Sequence, residues 1–381
     1  MDAPGQSAAP PASWRTRLAA DWSVVWPWLV VARLAVLAGW LLAGAARAGT
    51  QPTMRLRGEG LLAWDGTWYR DIAVLGYGAL PDEALRFFPV YPLVARALAW
   101  PLGVDATTVS WALVVVANVA AVAAAVLVRR LVLADGGSVA MANRAAVALT
   151  VFPTAFVLVW GYSEALFLVA AIGVMYAVRT DRYGLAVLAG LVAGGTRPLG
   201  VFLALAVAVE VVRTWRSADG TARVLRLAAV AAPVAGAAVW LAWASGRTND
   251  WLYPFSGQTE LRGEAVNPVV RLVQAVGELF GPEMFGDGLH LPFAVAFVVL
   301  TVVVARTQAA SYTVFTVAVL VTALSADNLN SLERYALNAF PVVVAVAAVC
   351  TTAWRSRVAV VVGVAGMVSL SALAWTGTYV P

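Results

Sequence analysis

Apolar runs recur along nearly the whole chain, and that recurrence leaves few folds open. Runs such as VVVANVAAVAAAVLV do not alternate with a period of two, as the strands of a membrane barrel would. Open sheets are excluded, because lipid offers their edge groups no hydrogen-bond partner. Charged residues make up 12% of the 381, about half the roughly 25% of soluble domains. The expected fold is an all-α polytopic membrane protein whose apolar helices are its spans.

The remaining charges set the expected topology. All 26 basic residues are arginine. They sit at span ends rather than in one patch, so the net charge of +5 points to no nucleic-acid partner. Residues 1–22, rich in Ala, Pro and Ser, read as a disordered cytoplasmic tail. They precede a single transmembrane domain over 23–381. A cleaved signal peptide fits less well, because the apolar stretch that follows is long.

Arg15 and Arg17 hold the start of the first span inside. A first outer loop then covers 47–104. Its apolar segment 88–102 is short. Laid along the outer interface, it leaves every short basic loop inside, from Arg129, Arg130 and Arg144 through to Arg355 and Arg357. The same counting makes 184–212 cross twice, turning at Gly194-Gly195-Thr196-Arg197-Pro198, where Gly and Pro favour a break. About eleven spans result, near 24–46, 109–128, 145–160, 164–178, 184–194, 199–212, 227–244, 291–305, 312–324, 335–351 and 358–375. Arg33 and Glu210 fall inside spans; a pairing of the two would explain both, the alternative being that Arg33 snorkels to the interface.

Polar chemistry then gathers on the outer face. It comes from 64–92, Tyr162-Ser163-Glu164, the Thr196-Arg197-Pro198 turn, a second long outer loop over 246–288, and 325–335. The inner loops carry little beyond arginine, glycine and small residues. In WDGTWYRD, Asp65 is flanked by Trp64 and Trp68. Such walls desolvate a carboxylate and raise its basicity, which suits a general base. Gly66 permits a sharp turn beside it. Asp71 is a second carboxylate that Arg70 can pair, and Glu83 a third in the same loop. In RFFPVYP, Pro89 and Pro92 mark a helix start; Phe87, Phe88 and Tyr91 are expected at the bilayer interface, with Arg86 a phosphate candidate. Glu164 opens a span, where a carboxylate favours the helix dipole. Arg197, at a bend within the membrane, needs an anion: a lipid phosphate or Glu164. In SLERY, Arg334 is another phosphate candidate beside Glu333, itself a headgroup contact, and Tyr335.

No Gly-rich phosphate loop, DxD or metal-ligand spacing is present, so no nucleotide cofactor is expected, and metal dependence stays open with the missing DxD weighing against it. Cys350 is the only cysteine, which excludes an intramolecular disulfide. His290 is the only histidine and starts a span.

In order, WDGTWYRDIAVLGYG, RFFPVYP, PTAFVLVWGYSEALF, TRPLG and SLERY before an FP-containing span resemble the bacterial relatives of the PIG-V mannosyltransferases, in the C-type glycosyltransferase superfamily. These motifs cover about 64–341. The resemblance implies a C-type bundle with juxtamembrane helices in its first outer loop, in a bacterial plasma membrane. It implies transfer of mannose from a polyprenyl-phosphate donor to a glycolipid, glycan or protein hydroxyl on the extracytoplasmic face. In that superfamily a carboxylate in the first outer loop is the base, and Asp65 matches it. TRPLG departs from the many relatives with an asparagine soon after the arginine, which leaves the acceptor open. On this reading Arg334 and Arg197 hold the donor phosphate, and Trp64, Trp68, Tyr91 and Tyr335 contact sugar or lipid. The loop with Trp251, Tyr253, Glu260, Arg262 and Glu264 shapes acceptor entry. The competing class is a flippase or transporter for a lipid-linked sugar, which needs polar groups at both faces.

Overall fold

The computed structural model describes residues 13–46, 49–217, 219–256, 263, 265–281 and 287–381. Among these the regular structure is helical, and the one β contact is an isolated antiparallel bridge between Ala265 and Ala326. The helices are α1 (Trp14–Ala46), α2 (Gln51–Glu59), α3 (Asp65–Leu75), α4 (Val90–Ala99), α5 (Ala106–Ala134), α6 (Val139–Thr150), α7 (Glu164–Arg179), α8 (Tyr183–Thr196) and α9 (Leu203–Thr214). They continue with α10 (Gly220–Thr248), α11 (Tyr253–Ser256), α12 (Pro268–Leu279), α13 (Leu291–Thr307), α14 (Ala310–Leu324), α15 (Leu332–Asn338), α16 (Phe340–Val349) and α17 (Ala353–Thr376).

Among the described residues, six helices are long and apolar enough to cross a membrane: Trp14–Ala46, Ala106–Ala134, Pro198–Ser217, Gly220–Thr248, Asp287–Thr307 and Ala353–Thr376. The pair α15 and α16, bent by 80°, makes a seventh if counted as one span. The chain is thus a multi-pass helical membrane protein. α6, α8 and α14 are apolar but shorter. α4 has ten residues, about 15 Å at the helical rise, against roughly 30 Å of hydrocarbon.

The central helix is α7, packed between α5 and α8. It is apolar around most of its circumference and buried on both faces, as a helix with no solvent side must be. Its first residue is Glu164 and its last Arg179. These mark two ends of the bundle, about 22 Å apart at 1.5 Å per residue. Each end carries its own ion-pair cluster.

Several expectations need correction. Residues 14–22, assigned to the tail, are the first turns of α1; residues 1–12 lie outside the described residues. The span expected over 145–160 is broken. α6 stops at Thr150, because the Phe152-Pro153 pair ahead disfavours helical geometry, and 155–158 is a single 3₁₀ turn. The span expected over 335–351 is broken between Asn338 and Phe340, where Pro341 opens the second helix. Arg33 does not meet Glu210. It donates to Asn118 Oδ1 at 2.5 Å and to the Leu29 carbonyl, while Glu210 holds Arg179 at 3.0 Å and Arg213 at 2.8 Å and accepts from Ser311.

Nor is the end around Arg179 bare of carboxylates. Asp135 pairs with Arg179 at 2.8 Å. Asp21 takes both Arg129 and Arg130, and Asp181 lies 3.9 Å from Arg226. Arg129, Arg130 and Arg179 are fastened by acids from other elements, which no short-range pattern announces, whereas Arg213 pairs with Glu210 on its own helix.

Candidate active site

Four stretches of chain meet at the Glu164 end of α7. Asp65 comes from the first turn of α3, Glu164 from α7, Arg197 from the break between α8 and α9, and Arg334 from α15. Arg334 Nη1 donates to Asp65 Oδ2 at 2.8 Å and to Glu164 Oε1 at 3.2 Å. Arg197 Nη1 reaches the same Glu164 oxygen at 2.7 Å. The result is a row of alternating charge: Asp65, Arg334, Glu164, Arg197.

Exposure differs along the row. Asp65's side chain is 29% exposed, those of Arg334 and Arg197 are 9% and 14%, and Glu164's is 0%. Asp65 is therefore the member a ligand can reach. Two buried arginines need compensating anions, and Glu164 supplies one to both. Glu164 Oε2 and the Nε atoms of Arg197 and Arg334 are buried with no hydrogen-bond partner, so the row retains polar capacity inside the protein.

Local backbone geometry aims these groups. Of four non-glycine residues at positive φ among the described residues, two stand at this site: Trp64 (φ 63°) and Ser331 (φ 66°). Such conformations cost about 1–3 kcal/mol and persist where surrounding contacts over-determine them. Trp64 is held by its indole N–H, which donates to the Ala374 carbonyl at 2.9 Å. Ser331 donates to the Pro381 carbonyl at 2.8 Å and accepts from Arg334 Nη2 at 2.9 Å. The sharp turn thus falls on Trp64, not on Gly66. Gly66 sits inside α3, where an added Cβ would lie 3.2 Å from Leu62 and 3.4 Å from the Gly161 carbonyl; its role is close packing.

A ring of neutral donors surrounds the row. The Asp65 backbone N–H donates to Tyr162 Oη at 3.2 Å, and Tyr162 Oη donates to the Ala63 carbonyl at 3.0 Å. The Arg334 guanidinium also lies over the Tyr162 ring, 5.5 Å from its centroid. Ser163 Oγ accepts from Arg197 at 2.9 Å and is 2.8 Å from Tyr69 Oη. Burial pushes the Tyr69 phenol above its ordinary range, which keeps it a neutral hydroxyl. Behind Arg334, Glu333 is fully buried. Its Oε1 is 2.7 Å from His290 Nδ1, and its Oε2 accepts from Tyr379 at 3.1 Å. Glu333 is therefore an interior anchor of α15, not a headgroup contact.

The other sequence candidates lie apart from the row. Asp71 pairs with Arg70 at 2.8 Å. Glu83 is exposed, and Arg86 donates to its carbonyl at 3.1 Å. Trp68 stacks on Phe87, with centroids 5.7 Å apart. Tyr335 is half-buried against the core. Tyr91 and Phe88 do not face the bilayer: both are buried, and Tyr91 Oη donates to the Leu113 carbonyl at 2.9 Å. Tyr91 therefore packs the α4–α5 contact. Glu260, Arg262 and Glu264 lie outside the described residues. Among those described, no three His, Cys, Asp or Glu side chains come together as a metal-ligand set.

Sequence reasoning missed Tyr69, the anchoring role of His290 and Tyr379, and the contact of Ser331 with Pro381. Tyr69 and Ser331 lie inside the WDGTWYRD and SLERY motifs, but each of these contacts is defined by a partner far away in the chain. A cavity of about 550 Å³ lies among α6, α13, α16 and α17, and no member of the row lines it. Its walls are mostly apolar, including Phe152, Phe293, Phe297 and Val346. Glu333 lines it at the site end. Asn143, which accepts from Arg129, lines it toward the other. No protein-family model matches this chain, and no curated protein matches it.

Proposed function

We propose that this protein is an integral membrane glycosyltransferase that moves a sugar, mannose by its resemblance, from a polyprenyl-phosphate donor to an acceptor hydroxyl. The reading places the site on the extracytoplasmic side of a bacterial plasma membrane, with the N-terminus cytoplasmic and about eleven passes once the shorter helices are counted. The observation that carries it is the row itself: one accessible carboxylate, Asp65, held against buried arginines that need an anion. A base beside a phosphate-binding cation is what glycosyl transfer from a lipid phosphate requires. The apolar cavity reaching Glu333 suits the donor's isoprenoid chain.

In the proposed step Asp65 accepts the acceptor's O–H proton. The acceptor oxygen forms a bond to the anomeric carbon as that carbon's bond to phosphate breaks. Configuration inverts, and polyprenyl phosphate leaves with the bonding pair. Arg334, with Arg197 behind it, stabilises the charge that develops on the leaving phosphate. The acceptor is a glycolipid, glycan or protein hydroxyl.

The test is transfer of labelled mannose from synthetic polyprenyl-phosphate-mannose in proteoliposomes supplied with a membrane lipid and glycan extract. Wild-type protein should transfer label, and Asp65→Asn should lose at least about 100-fold, the lower range for a general base. Equal transfer by both would remove Asp65 from the chemistry. No transfer by either, with labelled donor crossing the vesicle membrane, would replace the reading with a carrier.

A further inference from the structure

α12 belongs to the second long loop, whose expected surroundings are water. Its polarity is the reverse of what water demands. Val269, Val273, Val276 and Phe280 form one stripe, spaced four, three and four residues apart, and are 69%, 67%, 49% and 84% exposed. Gln274 is the one polar side chain among its outward positions. The face turned into the protein carries Arg271, only 1% exposed. Arg271 makes a two-pronged contact with Glu278 at 3.0 and 2.8 Å and a third with Asp287 at 2.7 Å. A helix in water buries its apolar stripe and exposes its charges. One that does the opposite has a nonpolar medium outside.

We infer that α12 is seated in the membrane, with this stripe among the acyl chains of the leaflet at the site end of the bundle. Its twelve residues reach about 18 Å, too short to cross roughly 30 Å of hydrocarbon, so it lies along the leaflet. Its neighbours are apolar helices: α14, one of the shorter ones, and the candidate span Asp287–Thr307. The Val266 N–H donates to the Ser325 carbonyl, which closes α14, and the Asp287–His290 turn leads directly into α13. The outward valines match those on the spans themselves, such as Val361 at 67%. The charged face does not hang free: Asp287 Oδ1 accepts from the Leu329 N–H at 3.0 Å, three residues before α15. The lipid-seated helix is thereby fastened to the segment that presents Arg334. This placement stands whether or not the sugar chemistry above is correct.

The test uses the full chain with Cys350→Ala, reconstituted in phosphatidylethanolamine and phosphatidylglycerol liposomes. Nitroxide labels are placed at Val273→Cys and Val276→Cys. Val361→Cys, on a candidate span, serves as the lipid reference, and Arg357→Cys, at the exposed start of α17, as the aqueous one. Power saturation compares collision with oxygen, enriched in lipid, against a water-soluble nickel chelate. Labels on α12 should match Val361, with oxygen collision dominant and nickel collision lost. A nickel-dominated profile like that at Arg357 would overturn the inference. Low accessibility to both reagents, as a covering protein would give, would overturn it equally.

Discussion

Asp65 and Arg334 stand 269 positions apart in the chain and 2.8 Å apart in the fold. The joint is rigid on both sides. Trp64 and Ser331, one and three residues away, are each held at positive φ by hydrogen bonds to the C-terminal region, at Ala374 and Pro381.

Arg334→Lys separates charge from shape. Arginine uses Nη1 on Asp65 and Glu164 and Nη2 on Ser331; an ammonium lacks that planar fork. If Arg334 also grips the donor phosphate, KM for the lipid-linked donor rises about tenfold, the loss of one charge-assisted hydrogen bond. Donor titration reads this. An unchanged KM with a reduced kcat would make Arg334 a positioning residue for Asp65.

Glu164→Ala removes the anion shared by Arg197 and Arg334. Two buried cations are then left with Asp65 and neutral hydroxyls. Breaking a buried pair in this way costs about 3–5 kcal/mol. Thermal unfolding in detergent should show a clear loss, with Glu164→Gln intermediate because it keeps an acceptor. Unchanged melting for Glu164→Ala would mean that the row contributes nothing to folding.

Tyr91→Phe deletes only the hydroxyl that donates to the Leu113 carbonyl. Melting should fall by the equivalent of about 1 kcal/mol, with wild-type turnover. A turnover defect without a melting defect would return Tyr91 to substrate contact.

Gly194→Ala tests the α8–α10 crossing. A Cβ there would lie 1.9 Å from the Pro233 carbonyl oxygen, so the helix backbones must part. Overpacking of this kind costs about 1–3 kcal/mol. Because Arg197 follows at the end of α8, turnover should fall along with melting. Gly184→Ala, earlier in the same helix with open space around it, should be silent in both assays.

Hydropathy made the helical membrane class readable, and the charged residues that a membrane chain can ill spare pointed to the row. Asp65, Glu164, Arg197 and Arg334 each stood out because an ionised group is expensive near lipid. Their partnerships were less legible. Glu164 was recognised as one candidate anion for Arg197, but its simultaneous hold on Arg334 depends on α15, whose placement follows from the break after Asn338. Breaks are where apolar sequence misleads. At 145–160 and 335–351 composition stays apolar while the backbone turns, so hydropathy reads through Pro153 and Pro341 as if the helix continued. Tyr91 misled differently: an aromatic near a loop resembles an interfacial anchor until α4 is seen packed on α5.

Alternation along the row also governs what admission of a ligand entails. Every cation in it is already engaged by a carboxylate, so an anion arriving at Arg334 Nη1 competes with Asp65 for that group, and only the buried Nε is unengaged. Entry is then an exchange of partners rather than an addition. An anion that wins Arg334 would uncage Asp65 as it docks; on the proposed reading, the base is then freed only when a sugar donor is bound.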